Sequence, residues 1–383
     1  MRTPQTDRQA LVLGLLDSGT VLAYLVWSDA APAQALALAF KLLWAAAVLP
    51  RLRLAGPDLV FLGFLTLFLL ATMASAALGG SDMQAVLRYG ALLAASATTL
   101  ALLPPDRLAD YALGLCLVPT VMALIHLVLA GLGLASWHFG RLHYLGGNHP
   151  NLGGEIGAVA VLAAALSGRK RLFWLMLGLI GLEIALMQSR AALLTVLAIG
   201  GTVFLTQVFE RSTSQRQRRA ALPVLIVGLV MLACTVLLVP HQLLLGDPSR
   251  GLDSGLVGRV DRWADAWQVF TQHPLWGAGA AYYERLGTGS PHNGVLYGLA
   301  QHGIAALLFW GLIALAHLSL LIWRPYQGLL LASMAVLVVL NDRFLNLNPF
   351  PFAYYVLLLK LTAGIASLRT SAPGPFVAQQ ARA

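Results

Sequence analysis

Three residues in this chain could perform chemistry together: the arginines Arg190 and Arg259 and the histidine His292. A guanidinium presents paired N–H donors that fork onto phosphate oxygens. A neutral imidazole can accept a proton near pH 7. Arg190 follows Gln188-Ser189 at the end of an apolar run, where it can sit near a membrane interface. Snorkelling to lipid head groups is the competing reading for it. His292 lies in Ser290-Pro291-His292-Asn293, ahead of a new apolar segment. With Ser290 as N-cap and Pro291 at the first helical position, His292 falls in the first helical turn. The positive end of the helix dipole then disfavours the imidazolium.

Arg259 and Arg262 lie on a predicted amphipathic helix over about 255–272. Val260, Trp263, Ala264, Trp267, Phe270 and Thr271 recur on one face of it at helical spacing. Arg259 borders that stripe and is expected to face a ligand. Arg262 points away and can pair with Asp265. Further candidates for a supporting role are Ser189, Asn293, Asn151, Arg141 and Arg343. The turn cluster GRLHYLGGNHPNLGGE, which holds Arg141 and Asn151, is explained equally well by turn chemistry alone.

These residues must be positioned by a membrane-embedded scaffold. Of 383 residues, 58% are hydrophobic and 11% charged, and the mean hydropathy is +0.75. Soluble proteins carry about 25% charged residues. The reading is an all-α polytopic membrane protein with about 12 transmembrane helices. The spans run at about 10–28, 32–50, 58–79, 84–103, 108–134, 152–168, 172–188, 191–209, 222–240, 294–322, 327–345 and 351–369. The amphipathic helix lies in a loop, 241–293, between spans nine and ten.

With both termini cytoplasmic, fifteen Lys and Arg fall on the cytoplasmic side and eight on the other, as the positive-inside rule requires. The loop then faces the periplasm, together with Arg141, Arg190 and Arg343. Scattered basic residues argue against a nucleic-acid partner. Asp17, Lys41, Glu183 and Lys360 are intramembrane ions, suspects for function or for pairing within the bundle. His126 and His317 read as hydrogen-bonded core histidines. Cys116 and Cys234 read as buried apolar residues. There is no H-E-x-x-H, P-loop or paired CxxC, and no cofactor or metal is expected.

The chain resembles the O-antigen ligase and polymerase family of bacterial inner-membrane glycosyltransferases. The matching elements are Ser189-Arg190, Gly258-Arg259 with Trp263, His273-Pro274-Leu275 with Gly277 and Gly279, Ser290 with His292-Asn293, and Gly303-Ile304. The resemblance implies a GT-C-like architecture and a glycan donor on undecaprenyl diphosphate. It implies diphosphate binding by Arg190 and Arg259, and activation of the acceptor hydroxyl by His292. Transfer would be inverting and metal-independent, onto lipid A–core for a ligase or onto another lipid-linked glycan for a polymerase. Ligase is preferred on size and span count. A polysaccharide or lipid transporter is the reading from a different class. The expected organisation is N-terminal transmembrane helices over 1–150, a catalytic region over 151–322, C-terminal transmembrane helices over 323–370 and a disordered tail over 371–383.

Overall fold

A computed structural model of the chain describes residues 7–26, 39, 43, 54–79, 83–138, 140–145, 149–210, 252–280, 282–287, 289–340 and 349–370. The described residues are mostly helical. In order they form α1 (Arg8–Val26), α2 (Gly56–Gly79), α3 (Met83–Leu102), a 3-10 turn (Pro105–Arg107) and α4 (Leu108–Gly131). A two-stranded hairpin follows, β1 (Trp137–His138) and β2 (Arg141–Leu142), then α5 (Pro150–Leu166), α6 (Lys170–Met187) and α7 (Arg190–Glu210). The remainder comprises α8 (Leu252–Gln272), α9 (Tyr282–Leu286), α10 (Gly294–His302), α11 (Ile304–Trp323), α12 (Pro325–Ala332), α13 (Ala335–Leu340) and α14 (Pro349–Thr370).

Four helices among the described residues are long and apolar enough to cross a membrane: Gly56–Ala74, Pro105–Gly131, Arg190–Gln207 and Ile304–Trp323. Leucines on their surfaces are exposed among the described residues. On α11, Leu307, Leu308, Leu315, Leu318 and Ile322 are exposed, as a lipid-facing helix requires. The expected spans 32–50 and 222–240 fall almost wholly outside the described residues. Two expected spans are interrupted. The segment 294–322 breaks at Gly303, whose φ of 60° ends α10 before α11 begins. The segment 327–345 is split into α12 and α13 where it is described. Hydropathy reports that a residue is apolar, not that its helix continues, so neither break was visible in it.

The centre of the bundle is α5. Nearly all of it is buried, because its Ala and Gly residues let neighbours approach closely. A Cβ on Gly157 would lie 2.7 Å from Ile180 of α6. α1 and α4 cross at Gly14 and Gly114, where any side chain would collide with the opposing backbone.

Among the described residues, the intramembrane ions Asp17, Glu183 and Lys360 all have polar partners, and Lys41 lies outside the described residues. Asp17 accepts hydrogen bonds from Thr99 (3.0 Å) and Tyr111 (2.9 Å). His126 Nδ1 lies 2.6 Å from Glu183 Oε1, and its Nε2 donates to the His143 carbonyl at 2.9 Å. Lys360 on α14 meets Asp58 on α2 at 2.7 Å, both side chains being buried. Lys360→Met would strand the Asp58 carboxylate. Removing one partner of a buried pair costs about 3–5 kcal/mol. A large drop in melting temperature in detergent is expected, with most of it restored by adding Asp58→Asn. A single variant that melts like the wild type would show that the pair contributes nothing.

Candidate active site

The bundle has two distinguishable ends. The end of α5, the start of α6, residues 203–207 of α7 and Tyr326 of α12 surround a common cavity. The opposite end therefore holds the start of α5, the α6–α7 turn and the start of α11. The candidate residues fall in two groups.

The first group is built around the α6–α7 turn. Gln188 caps α6 in the left-handed conformation, with φ 52°. Its side-chain amide donates to the Gly140 carbonyl at the tip of the hairpin (3.2 Å). Arg141 on β2 returns the contact. Its Nε donates to the Met187 carbonyl (3.1 Å) and a terminal nitrogen to that of Gln188 (3.4 Å). Ser189 is buried, its side chain lying where a Cβ on Gly154 would go. Arg190 opens α7 and has an exposed side chain. Hairpin, turn and α5 thus fix the backbone from which Arg190 projects. Asn151 stands in the first turn of α5, where its backbone N–H is accepted by the capping His149 (3.2 Å).

The second group joins α8 to the loop before α10. The indole N–H of Trp263 donates to the Pro291 carbonyl at 2.8 Å, fixing the peptide that enters His292. His292 is half-buried and adopts φ 50°. That left-handed geometry is uncommon for a residue with a Cβ, and such strain concentrates at functional sites. On its other side, Asn293 accepts from the N–H groups of Val295 (3.0 Å) and Leu296 (3.1 Å).

Two expectations are corrected here. Asn293, not Ser290, is the N-cap of α10, and Gly294 is its first helical residue. Asn caps as well as Ser, and the buried Pro291 belongs to the loop. His292 therefore precedes the helix instead of lying in its first turn.

The second correction concerns Arg262. The face of α8 that packs on protein is centred on Ala266 and Val269, both buried, while Val260 and Trp267 are exposed. Arg262 is one turn from Ala266 on that same packed face. A Cβ on Gly289 would lie 2.7 Å from its guanidinium carbon. It therefore covers the loop leading to His292, and among the described residues it makes no ion pair with Asp265. Arg262, itself exposed, does lie away from the stripe that holds Val260 and Trp267, and the stripe is the outer face of α8. The backbone of Arg259 belongs to α8, but its side chain lies outside the described residues, as does all of Arg343.

The Gly- and Pro-rich motif and the Gly303-Ile304 pair meet in the structure. His273-Pro274-Leu275-Trp276-Gly277-Ala278-Gly279 clasps the C-terminal end of α10. Ala278 N–H donates to the Ala300 carbonyl (2.8 Å), Gly279 N–H to that of Gln301 (3.2 Å), and Ile304 N–H to that of Pro274 (2.8 Å). Gly277, Gly279 and Gly303 all have positive φ. A Cβ on Gly303 would stand 2.6 Å from the Pro274 carbonyl oxygen. Gly303→Ala should therefore disrupt folding and sharply lower the yield of inserted protein. Ala at the exposed helical Gly311, where the space is open, should be tolerated. Equal yields of the two variants would contradict the clasp.

Helices, lipid-facing surfaces and small-residue packing define an all-α polytopic membrane protein. Residues 172–311 match the family model described as O-antigen ligase, and over that segment the resemblance to the family is shown. All five motif elements, from Ser189-Arg190 to Gly303-Ile304, fall inside it. A comparison with curated proteins found no match.

Proposed function

We propose that the chain is an O-antigen ligase-like glycosyltransferase. It moves a glycan from undecaprenyl diphosphate to a hydroxyl of lipid A–core at the periplasmic face of the bacterial inner membrane. In this reading the chain crosses the membrane about twelve times with both termini cytoplasmic, and the segment 241–293 faces the periplasm. Arg190 and Arg259 hold the diphosphate. Arg262, Ser189, Asn293, Asn151, Arg141 and Arg343 support the site.

The acceptor oxygen attacks the anomeric carbon from the face opposite the diphosphate. The new carbon–oxygen bond forms as the bond to the diphosphate breaks, so the configuration inverts. His292 takes the hydroxyl proton, and undecaprenyl diphosphate leaves as the anion. Guanidinium donors aimed at that developing charge stabilise it. The reaction needs no metal in this reading, and activity should survive chelators.

The observation that carries the proposal is that one family-matched segment contains Arg190, Arg259 and His292. A silver-stained lipopolysaccharide gel of a deletion strain tests it. Free core with accumulated lipid-linked polymer is expected. Core bearing a single repeat would assign the chain to polymerisation instead, and unchanged lipopolysaccharide would overturn both.

A further inference from the structure

His126 on α4 and Glu183 on α6 have no part in the proposed transfer, yet both are buried inside the bundle. His126 Nε2 faces the His143 carbonyl at 2.9 Å. A carbonyl only accepts, so that nitrogen carries a proton. Nδ1 lies 2.6 Å from Glu183 Oε1, and one proton is shared across that contact. Either an imidazolium donates to a carboxylate, or a neutral ring accepts from the carboxylic acid. Both forms leave the pair without net charge and keep the bond to His143.

His143 directly follows β2, and its N–H donates to the Ser136 carbonyl just ahead of β1 (2.8 Å). The pair therefore grips the base of the hairpin. Tyr144, the next residue, sets its ring edge-on to His126, with centroids 5.6 Å apart, and fills the space beside Gly153. The tip of the same hairpin meets the α6–α7 turn through Arg141 and Gln188. A hairpin of two strands is marginal on its own, so its orientation depends on what holds each end. Held at both, it is a strut between α4 and the backbone that carries Arg190. Stability alone does not account for the pair, because desolvation offsets much of such an attraction and apolar replacements of similar size are often as stable.

We propose that His126 and Glu183 are positioning residues for Arg190: they anchor the base of the hairpin whose tip braces the α6–α7 turn. The proposal rests on the diphosphate role given to Arg190.

The test uses the full-length protein. His126→Phe/Glu183→Met removes both hydrogen bonds and keeps the volume. His126→Asn leaves an amide near the place of Nδ1 for Glu183 and removes the Nε2 bond alone, so it serves if the double variant does not insert. Glu183→Gln keeps both bonds, because an amide N–H can donate to Nδ1 of the neutral ring. Hydrogen–deuterium exchange in detergent reads the hairpin and the α6–α7 turn, and transfer by membranes is followed against donor concentration. The double variant and His126→Asn should melt close to wild type, exchange faster in those segments and show a donor KM raised roughly tenfold. Glu183→Gln should match the wild type. A merely structural loss lowers the amount of active protein, and so the apparent turnover, leaving KM where it was. In an Arg190→Ala background the double variant should lower transfer no further, since its effect runs through that residue. Unchanged exchange in the folded variants, or Glu183→Gln behaving like the double variant, would overturn the anchoring. Faster exchange with an unchanged donor KM would overturn the link to Arg190. Wild-type transfer by Arg190→Ala would instead overturn the function given to that arginine, and the positioning role with it, whatever the exchange shows.

Discussion

His292→Ala is expected to lower glycan transfer by roughly 10²–10⁴-fold, the contribution typical of a positioned general base. Expression, membrane insertion and melting should stay close to wild type. His292 is only half-buried. Its surroundings have been fixed by other groups: Trp263 holds the preceding carbonyl and Asn293 caps the following helix. The loop should thus keep its shape when the imidazole is removed. Alanine also tolerates left-handed backbone no better than histidine, so a rate loss without a stability change isolates the ring. The measurement is transfer from lipid-linked glycan by membranes carrying each variant at equal protein. Wild-type transfer by His292→Ala would remove this residue from the mechanism.

Arg190→Lys should be nearly as damaging, with transfer falling on the order of 10²–10³-fold. Lysine keeps the charge but cannot reproduce a planar pair of N–H donors on a diphosphate. The structure gives the position unusual support. Arg141 and Gln188 tie the turn to the hairpin from both directions, and Ser189 is buried against Gly154. Under the proposed function, a guanidinium borne on so constrained a backbone would meet the diphosphate in one geometry. The loss should appear in donor binding as well as in turnover, because the diphosphate is present in both states. Near-normal transfer by Arg190→Lys would show that a point charge suffices and that the fork is not used.

Much of this architecture could be read from the chain alone, and the limits are physical. Apolar runs located most of the helices, since a membrane imposes both their length and their composition. The same runs did not reveal the break at Gly303, where one glycine between two apolar segments reverses the backbone. Motif spacing picked out Arg190, His292 and the Gly-rich turn. It could not say that Gly277, Gly279 and Gly303 serve one another, because those contacts are made between main-chain groups distant along the chain. The helix bearing Arg262 showed its outer apolar stripe but not the face that packs on protein. Its two faces are both partly apolar, and large exposed residues such as Trp267 outweighed the small buried Ala266. Burial against protein favours small residues, whereas a hydropathy count rewards large ones.

The clasp at the end of α10 is built from backbone hydrogen bonds and glycines. The residues between its fixed points are therefore released from any duty in holding it. Leu275 and Trp276 sit inside the clasp yet are 61% and 64% exposed. Their identities can drift, or be redesigned, without loosening the frame that carries His292. A chain arranged this way separates what must stay constant for chemistry from what is open to adaptation, and it does so within a single turn.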